Sequence, residues 1–190
     1  MHAVTLTGDG ERAHLRGRHR PGHACGRCRR PGRRRGAPPC VLVGHSYGGM
    51  VVTAAAEALL ARAAGGVPCA LAYVDAVPLA GDSWSSGHSL ETAQRLVLAA
   101  AHDQALPPAD PAIFGLEGAD RDWLLRRQVP HPFGMYREPL QFRAERLAAL
   151  PRLFVDCTAP ALATIDASRG ACAPSPAGAS SRSRPGTARW

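Results

Sequence analysis

The chain has 190 residues, 45% of them apolar, and a formal net charge of +8. That length suits one domain of ordinary size, and that apolar share excludes wholesale disorder. The most apolar stretch, Val51 to Val67, is interrupted by Glu57 and Arg62, so no membrane span is expected. The first 15 residues carry Asp9, Glu11 and Arg12 and lack an apolar core. This argues against a signal peptide and for a soluble, cytoplasmic protein. The positive charge is unevenly placed. Residues 16–40 hold nine arginines and residues 169–190 hold four, neither with any acid, while the rest sets ten arginines against fifteen acids. Lys and Asn are absent, which fits a GC-rich gene.

Ala3 to Leu6 reads as a short strand running into a polar turn that lasts to Leu15. Residues 16–40 follow neither a period of 2 nor one of 3.6, and Gly, Pro and Arg dominate them. They read as an irregular insert, because nothing in them could bury a face. Val41-Leu42-Val43 is wholly apolar, as a parallel strand covered on both sides requires. Met50 to Ala64 is rich in Ala and Leu and stops at Gly65-Gly66, which predicts a helix. Ala70 to Val74 is a second buried strand, ending at Asp75. Strand, helix and strand make one βαβ unit, so the class is α/β with a parallel sheet.

Residues 78–150 read as a helical cap, with helices over 89–102, 117–128 and 141–150. In the first, Leu90, Ala93, Val97 and Ala101 share a face. In the second, Glu117, Asp120 and Asp122 open the helix and Arg126-Arg127 close it, in line with the helix dipole. Leu153-Phe154-Val155 resumes a strand. The domain is expected to span 1–168 and to be followed by a disordered tail over 169–190.

The chemistry centres on Gly44-His45-Ser46-Tyr47-Gly48. A Gly-x-Ser-x-Gly pattern between an apolar strand and a long helix is the context of a nucleophile elbow. There the serine is held in a strained conformation, with its hydroxyl clear of the sheet edge. Glycines at 44 and 48 would let strand and helix approach. The following helix aims free N–H groups at the serine, and Tyr47 N–H would be one oxyanion donor. The alternative is a plain Gly-rich turn.

With these residues the chain resembles the α/β-hydrolase superfamily, and within it a small-esterase branch that includes plant methyl-ester esterases and hydroxynitrile lyases. The resemblance rests on LTGDGERAHL at 6–15, VLVGHSYGGMVV at 41–52, AYVDAVP at 72–78, PHPFGMYREPL at 130–140 and LPRLFVDCT at 150–158. It implies an α/β-hydrolase fold with a helical cap, small ester substrates, no cofactor, and Ser46 as nucleophile beside a histidine base and an acid. Asp75, at the end of the strand after the nucleophile helix, is one candidate acid, and Asp156, at the end of the next strand, is the other. The bland reading of Asp75 is a strand-end aspartate closing a turn.

The chain departs from that pattern in three places. It begins after the His-Gly loop that gives such enzymes a second oxyanion donor. Its link from Leu15 to Val41 is Arg-rich instead of helical. The triad histidine of such enzymes lies near the C-terminus, whereas the last histidine here is His131. The implied esterase is therefore expected to be impaired or inactive, a partial fold lacking the N-terminal strands and the C-terminal His segment. His45 sits beside Ser46, but neighbouring side chains at an elbow diverge. His88, His102 and His131 fall in the cap and read as solvent-facing or locally bonded. Two compensating frameshifts would account for the Arg-rich 16–40, and a third near 168 for the absent C-terminal histidine.

The competing class is binding through the insert. Its arginines could hold nucleic acid, though no aromatic lies within 16–40 for base stacking. His19, His23, Cys25 and Cys28 have spacings that zinc sites use, but four ligands inside ten residues among arginines is cramped. Neither nucleic acid nor metal is the favoured partner. Cys69 and Cys157, at strand positions, read as ordinary buried thiols.

Overall fold

The computed structural model of the chain describes residues 3–6, 8–18, 39–61, 68–76, 81–100, 105–159, 161, 165–166, 168 and 178–183. The βαβ unit stands where the apolar runs predicted it. Strand β1 spans Cys40–His45, helix α1 Gly48–Leu60 and strand β2 Pro68–Val74. Two later strands join them, β5 at Arg152–Cys157 and β6 at Gly178–Ser183, in the order β1-β2-β5-β6. Every neighbouring pair in this sheet is parallel. Leu42 lies opposite Leu71, and Tyr73 opposite Phe154.

Apolar burial between α1 and the sheet holds this unit together. Val52 and Ala56 of α1 meet Leu71, Tyr73 and Phe154 of the strands, and Leu147 and Leu150 close the cluster. A polar tie runs through it. Thr53 Oγ1 donates to Gly49 O at 2.7 Å and lies 2.8 Å from the Tyr73 hydroxyl. With the threonine proton spent on Gly49, the tyrosine donates, and both buried hydroxyls are satisfied.

The cap region holds helices α2 at Leu90–Ala99, α3 at Gly118–Leu125, α4 at Gly134–Arg137 and α5 at Ala144–Leu147. Two strands of two residues each, β3 at Ala105–Leu106 and β4 at His131–Pro132, pair antiparallel within it. The expected apolar face of the first cap helix is not buried. Leu90 is 76% exposed and Val97 43% exposed, and no residue of α2 is buried.

Other expectations also need correcting. Residues 3–6 form no strand, and Gly10–Arg18 winds into a 3₁₀-helix where a polar turn was expected. The insert is irregular neither at 16–18, which close that helix, nor at Cys40, which opens β1; 19–38 lie outside the described residues. The tail expected to be disordered contributes β6, in register with β5 from Arg152 opposite Gly178 to Cys157 opposite Ser183. Short Ala/Ser-rich sequence carries no apolar signal, yet it can supply backbone groups to a waiting strand edge. Cys69 is exposed and Cys157 half-buried, so neither is a fully buried thiol.

Candidate active site

The sheet ladder and the helix meet at Ser46. Its N–H donates to Val74 O at 3.0 Å, which extends the β1–β2 pairing by one residue. Its carbonyl accepts from Gly49 N at 2.9 Å, which starts the turn into α1. Holding both bonds forces a reversal within one residue, and Ser46 takes φ 48°, in the left-handed region that non-glycine residues avoid. This is the strained conformation that the motif predicts.

The glycines divide the work unequally. A Cβ at Gly44 would sit 2.5 Å from Gly48 O and 2.7 Å from Gly49 N, both immovable backbone. A Cβ at Gly48 would meet nothing within 4 Å, so the expected need for glycine there is not steric. Gly49, which the motif does not single out, would meet Ala76 Cβ at 2.6 Å. Tyr47 is the N-cap of α1, so its N–H belongs to the helix amides that have no intrahelical acceptor.

Asp75 ends β2 beside this turn, is 4% exposed and also has positive φ, 46°. Its N–H donates to Val155 O at 3.0 Å, and its Oδ1 accepts from Cys157 N–H at 2.8 Å. The carboxylate thus ties the end of β2 to the end of β5. Asp156, half-buried at the end of β5, lies opposite Arg182 of β6.

His88 Nδ1 lies 3.2 Å from Trp84 O, and burial pushes the His88 pKa down, partly offset by that contact. The His131 side chain is 40% exposed, in part solvent-facing as expected, and its Nδ1 lies 2.7 Å from Asp9 Oδ1 in the segment 8–18. Both atoms are shielded from solvent and poorly aligned for a hydrogen bond. Among the described residues, no histidine ring nitrogen bonds to Ser46. His102 lies outside the described residues.

An aromatic layer connects the elbow to the cap. Trp84 packs 5.4 Å from the Tyr47 ring, 5.7 Å from His131 and 6.0 Å from Tyr136. Phe133 stacks on Tyr136 at 5.9 Å. Burial first, then the negative charges of Glu138 and Asp9, hold the Tyr47 phenol well above its ordinary range. Tyr47, the residue after Ser46, thus packs on Trp84 of the cap and feels the charges of Glu138 and Asp9. Asp9, Trp84, Tyr136 and Glu138 were not singled out from the sequence. For Asp9 the available signal was its place in the LTGDGERAHL block.

The model of the alpha/beta hydrolase family matches residues 2–185. The chain belongs to the alpha/beta hydrolase family. A carbendazim-hydrolyzing esterase of Nocardioides sp. (strain SG-4G) is 32% identical over 126 residues, covering 60% of this chain and 50% of that esterase. The chain thus spans about half the length of the curated relative it matches. Among solved structures, an extracellular alpha/beta-hydrolase from a Paenibacillus species aligns with TM-score 0.53 at 19% identity, over 62% of this chain and 50% of that one. It is described as sharing structural and functional homology with tobacco salicylic acid binding protein 2. A PytH variant aligns with TM-score 0.50 at 19% identity, over 95% of this chain and 75% of that one. At such identities these structures speak for the fold alone.

This alpha/beta hydrolase shows, among its described residues, no group of three metal-ligating side chains. The proposed zinc residues His19, His23, Cys25 and Cys28 lie outside the described residues, as does most of the Arg-rich insert. No described helix is long and apolar enough to cross a membrane.

Proposed function

We propose that the chain carries a carboxylic-ester hydrolase site with Ser46 as nucleophile, and that turnover by this chain is impaired. The observation that carries this reading is the left-handed Ser46 at the strand-to-helix junction, at the head of the α1 amides. The esterase relative supports small esters as the substrate class. In this reading Tyr47 N–H is an oxyanion donor, and Asp75 or Asp156 supplies the acid. Asp75 Oδ1 already accepts from Cys157 N–H, which would hold its carboxylate at the sheet edge.

Impairment follows because, among the described residues, no histidine ring nitrogen bonds to Ser46. A serine hydroxyl near neutral pH is a weak nucleophile until a neighbour takes its proton. Loss of the histidine from a serine-hydrolase triad costs about a millionfold in turnover.

The test uses 4-nitrophenyl acetate with the purified chain and its Ser46→Ala variant. Without added base the two should hydrolyse it at the same rate. Added imidazole should supply the missing base and open a rate difference between them, beyond imidazole's own background. A Ser46-dependent burst without imidazole would overturn the impairment and turn attention to His45, His88, His102 and His131. No difference even with imidazole would overturn the nucleophile assignment.

A further inference from the structure

Cys40 and Cys69 lie beside one another at the opposite end of the sheet from Ser46. Cys40 opens β1, and Cys69 is the second residue of β2. The pairing slips at this point: Cys40 lies opposite Pro68 while Val41 lies opposite Ala70, so Cys69 is an extra residue bulged against Cys40. The slip leaves Cys69 unpaired between Pro68 and Ala70, directly beside Cys40. The contact agrees, since Cys69 Sγ donates to Cys40 O at 3.4 Å. Neighbouring strands are about 4.8 Å apart, which with a one-residue offset sets the two Cα atoms about 5–6 Å apart, inside the range a disulfide spans.

The pair also differs from the other thiol in the sheet. Cys157 ends β5, at the Ser46 end, and about five residues of strand rise, roughly 17 Å, separate the two ends. Cys69 is exposed and open to reagents, whereas Cys40 is half-buried behind it. Burial, and then the nearby Cys69, push the Cys40 thiol up.

We propose that Cys40 and Cys69 are a reversible dithiol–disulfide pair that closes on exposure to a peroxide. The Cys69 thiolate attacks the peroxide oxygen and becomes a sulfenic acid, and the O–O bond breaks to release water or an alcohol. The Cys40 sulfur then attacks the Cys69 sulfur, the S–O bond breaks, and the Cys40 proton leaves with that oxygen as water. With hydrogen peroxide, two thiols and one peroxide give one disulfide and two waters. A small-molecule dithiol restores both thiols by exchange. The crosslink would fasten the strand that leads into the elbow to its neighbour in the sheet.

The experiment treats the native chain with stoichiometric hydrogen peroxide, blocks remaining thiols, and digests with trypsin. Cleavage after Arg35, Arg62 and Arg95 leaves Cys40 and Cys69 alone on two adjacent peptides, 36–62 and 63–95. The expected product is these two joined, two hydrogens lighter than their sum, and separated again by dithiothreitol. The same treatment in urea should scatter the links among all six cysteines. Three results would overturn the proposal: Cys69 oxidised to sulfinic or sulfonic acid with Cys40 still a thiol, either cysteine joined to a different one, or both thiols unchanged.

Discussion

Gly44, Gly48 and Gly49 look interchangeable as letters, and the turn treats them differently. Gly44→Ala drives a methyl into backbone at 2.5 Å, and that backbone is fixed by the ladder on one side and the helix on the other. We expect a loss of about 1–3 kcal/mol or more in urea unfolding. Gly48→Ala points into open space, at a helical position whose φ is not positive. It should be neutral or stabilise by about 0.4–1 kcal/mol, by narrowing the unfolded ensemble. Equal losses at the two sites would mean that the elbow is not built as described. At this scale Ser46 was legible, because its motif and its flanking strand and helix are contiguous in the chain. The contact between His131 and Asp9 was not legible, because it joins segments over a hundred residues apart.

Single interactions also fix how elements sit on one another. The Tyr73 hydroxyl ties β2 to Thr53 of α1, so Tyr73→Phe should cost about 1 kcal/mol in urea unfolding. Thr53 keeps its bond to Gly49 O in that variant, so a much larger loss would point to a different role for the phenol. In the cap, Asp110 holds the 3₁₀ turn Pro111–Phe114 against α3. Arg121 binds it through two nitrogens, at 2.9 and 2.8 Å, and Ala112 N–H adds a third bond. First the Arg121 hydrogen bonds and then the Ala112 bond bring the Asp110 pKa down to about 2 from 3.8. A folded value below the unfolded one adds stability above the unfolded value and loses it as pH falls. Whatever this exposed pair contributes should therefore be intact above pH 3.8 and vanish on acidification toward about 2. Carboxyl NMR of Asp110 should show a midpoint near 2 that rises in Arg121→Gln, and an unmoved midpoint would count against the pairing.

For the whole molecule, the sheet depends on a segment that composition alone assigned to a tail. β6 pairs with β5 along all six of its residues, so removal of residues 169–190 leaves β5 as an unprotected edge. The shortened chain should unfold at lower urea and aggregate more readily than the full chain. In hydrogen exchange the amides of 178–183 should be protected in step with those of β5. Exchange at random-coil rates there would restore the disordered tail.

The sequence by itself determined the βαβ unit, the elbow and the succession β1, α1, β2, β5. Each rests on a contiguous apolar run or a contiguous motif, where the local pattern and the buried environment agree. Three cap helices were legible in place, but the third spans only Ala144–Leu147, α4 at Gly134–Arg137 was not expected, and their packing was not legible. The stripe carrying Leu90 and Val97 has helical period and is exposed, because periodicity specifies a face and not what covers it. Only the tertiary structure decided that Gly178–Ser183 completes the sheet. Backbone pairing needs no apolar side chains once a neighbouring strand offers its edge. The same reason explains the pairs Asp75–Cys157, Thr53–Tyr73, Asp9–His131 and Cys40–Cys69. Each joins residues that no local pattern connects, and each exists because the fold carried distant backbone into contact.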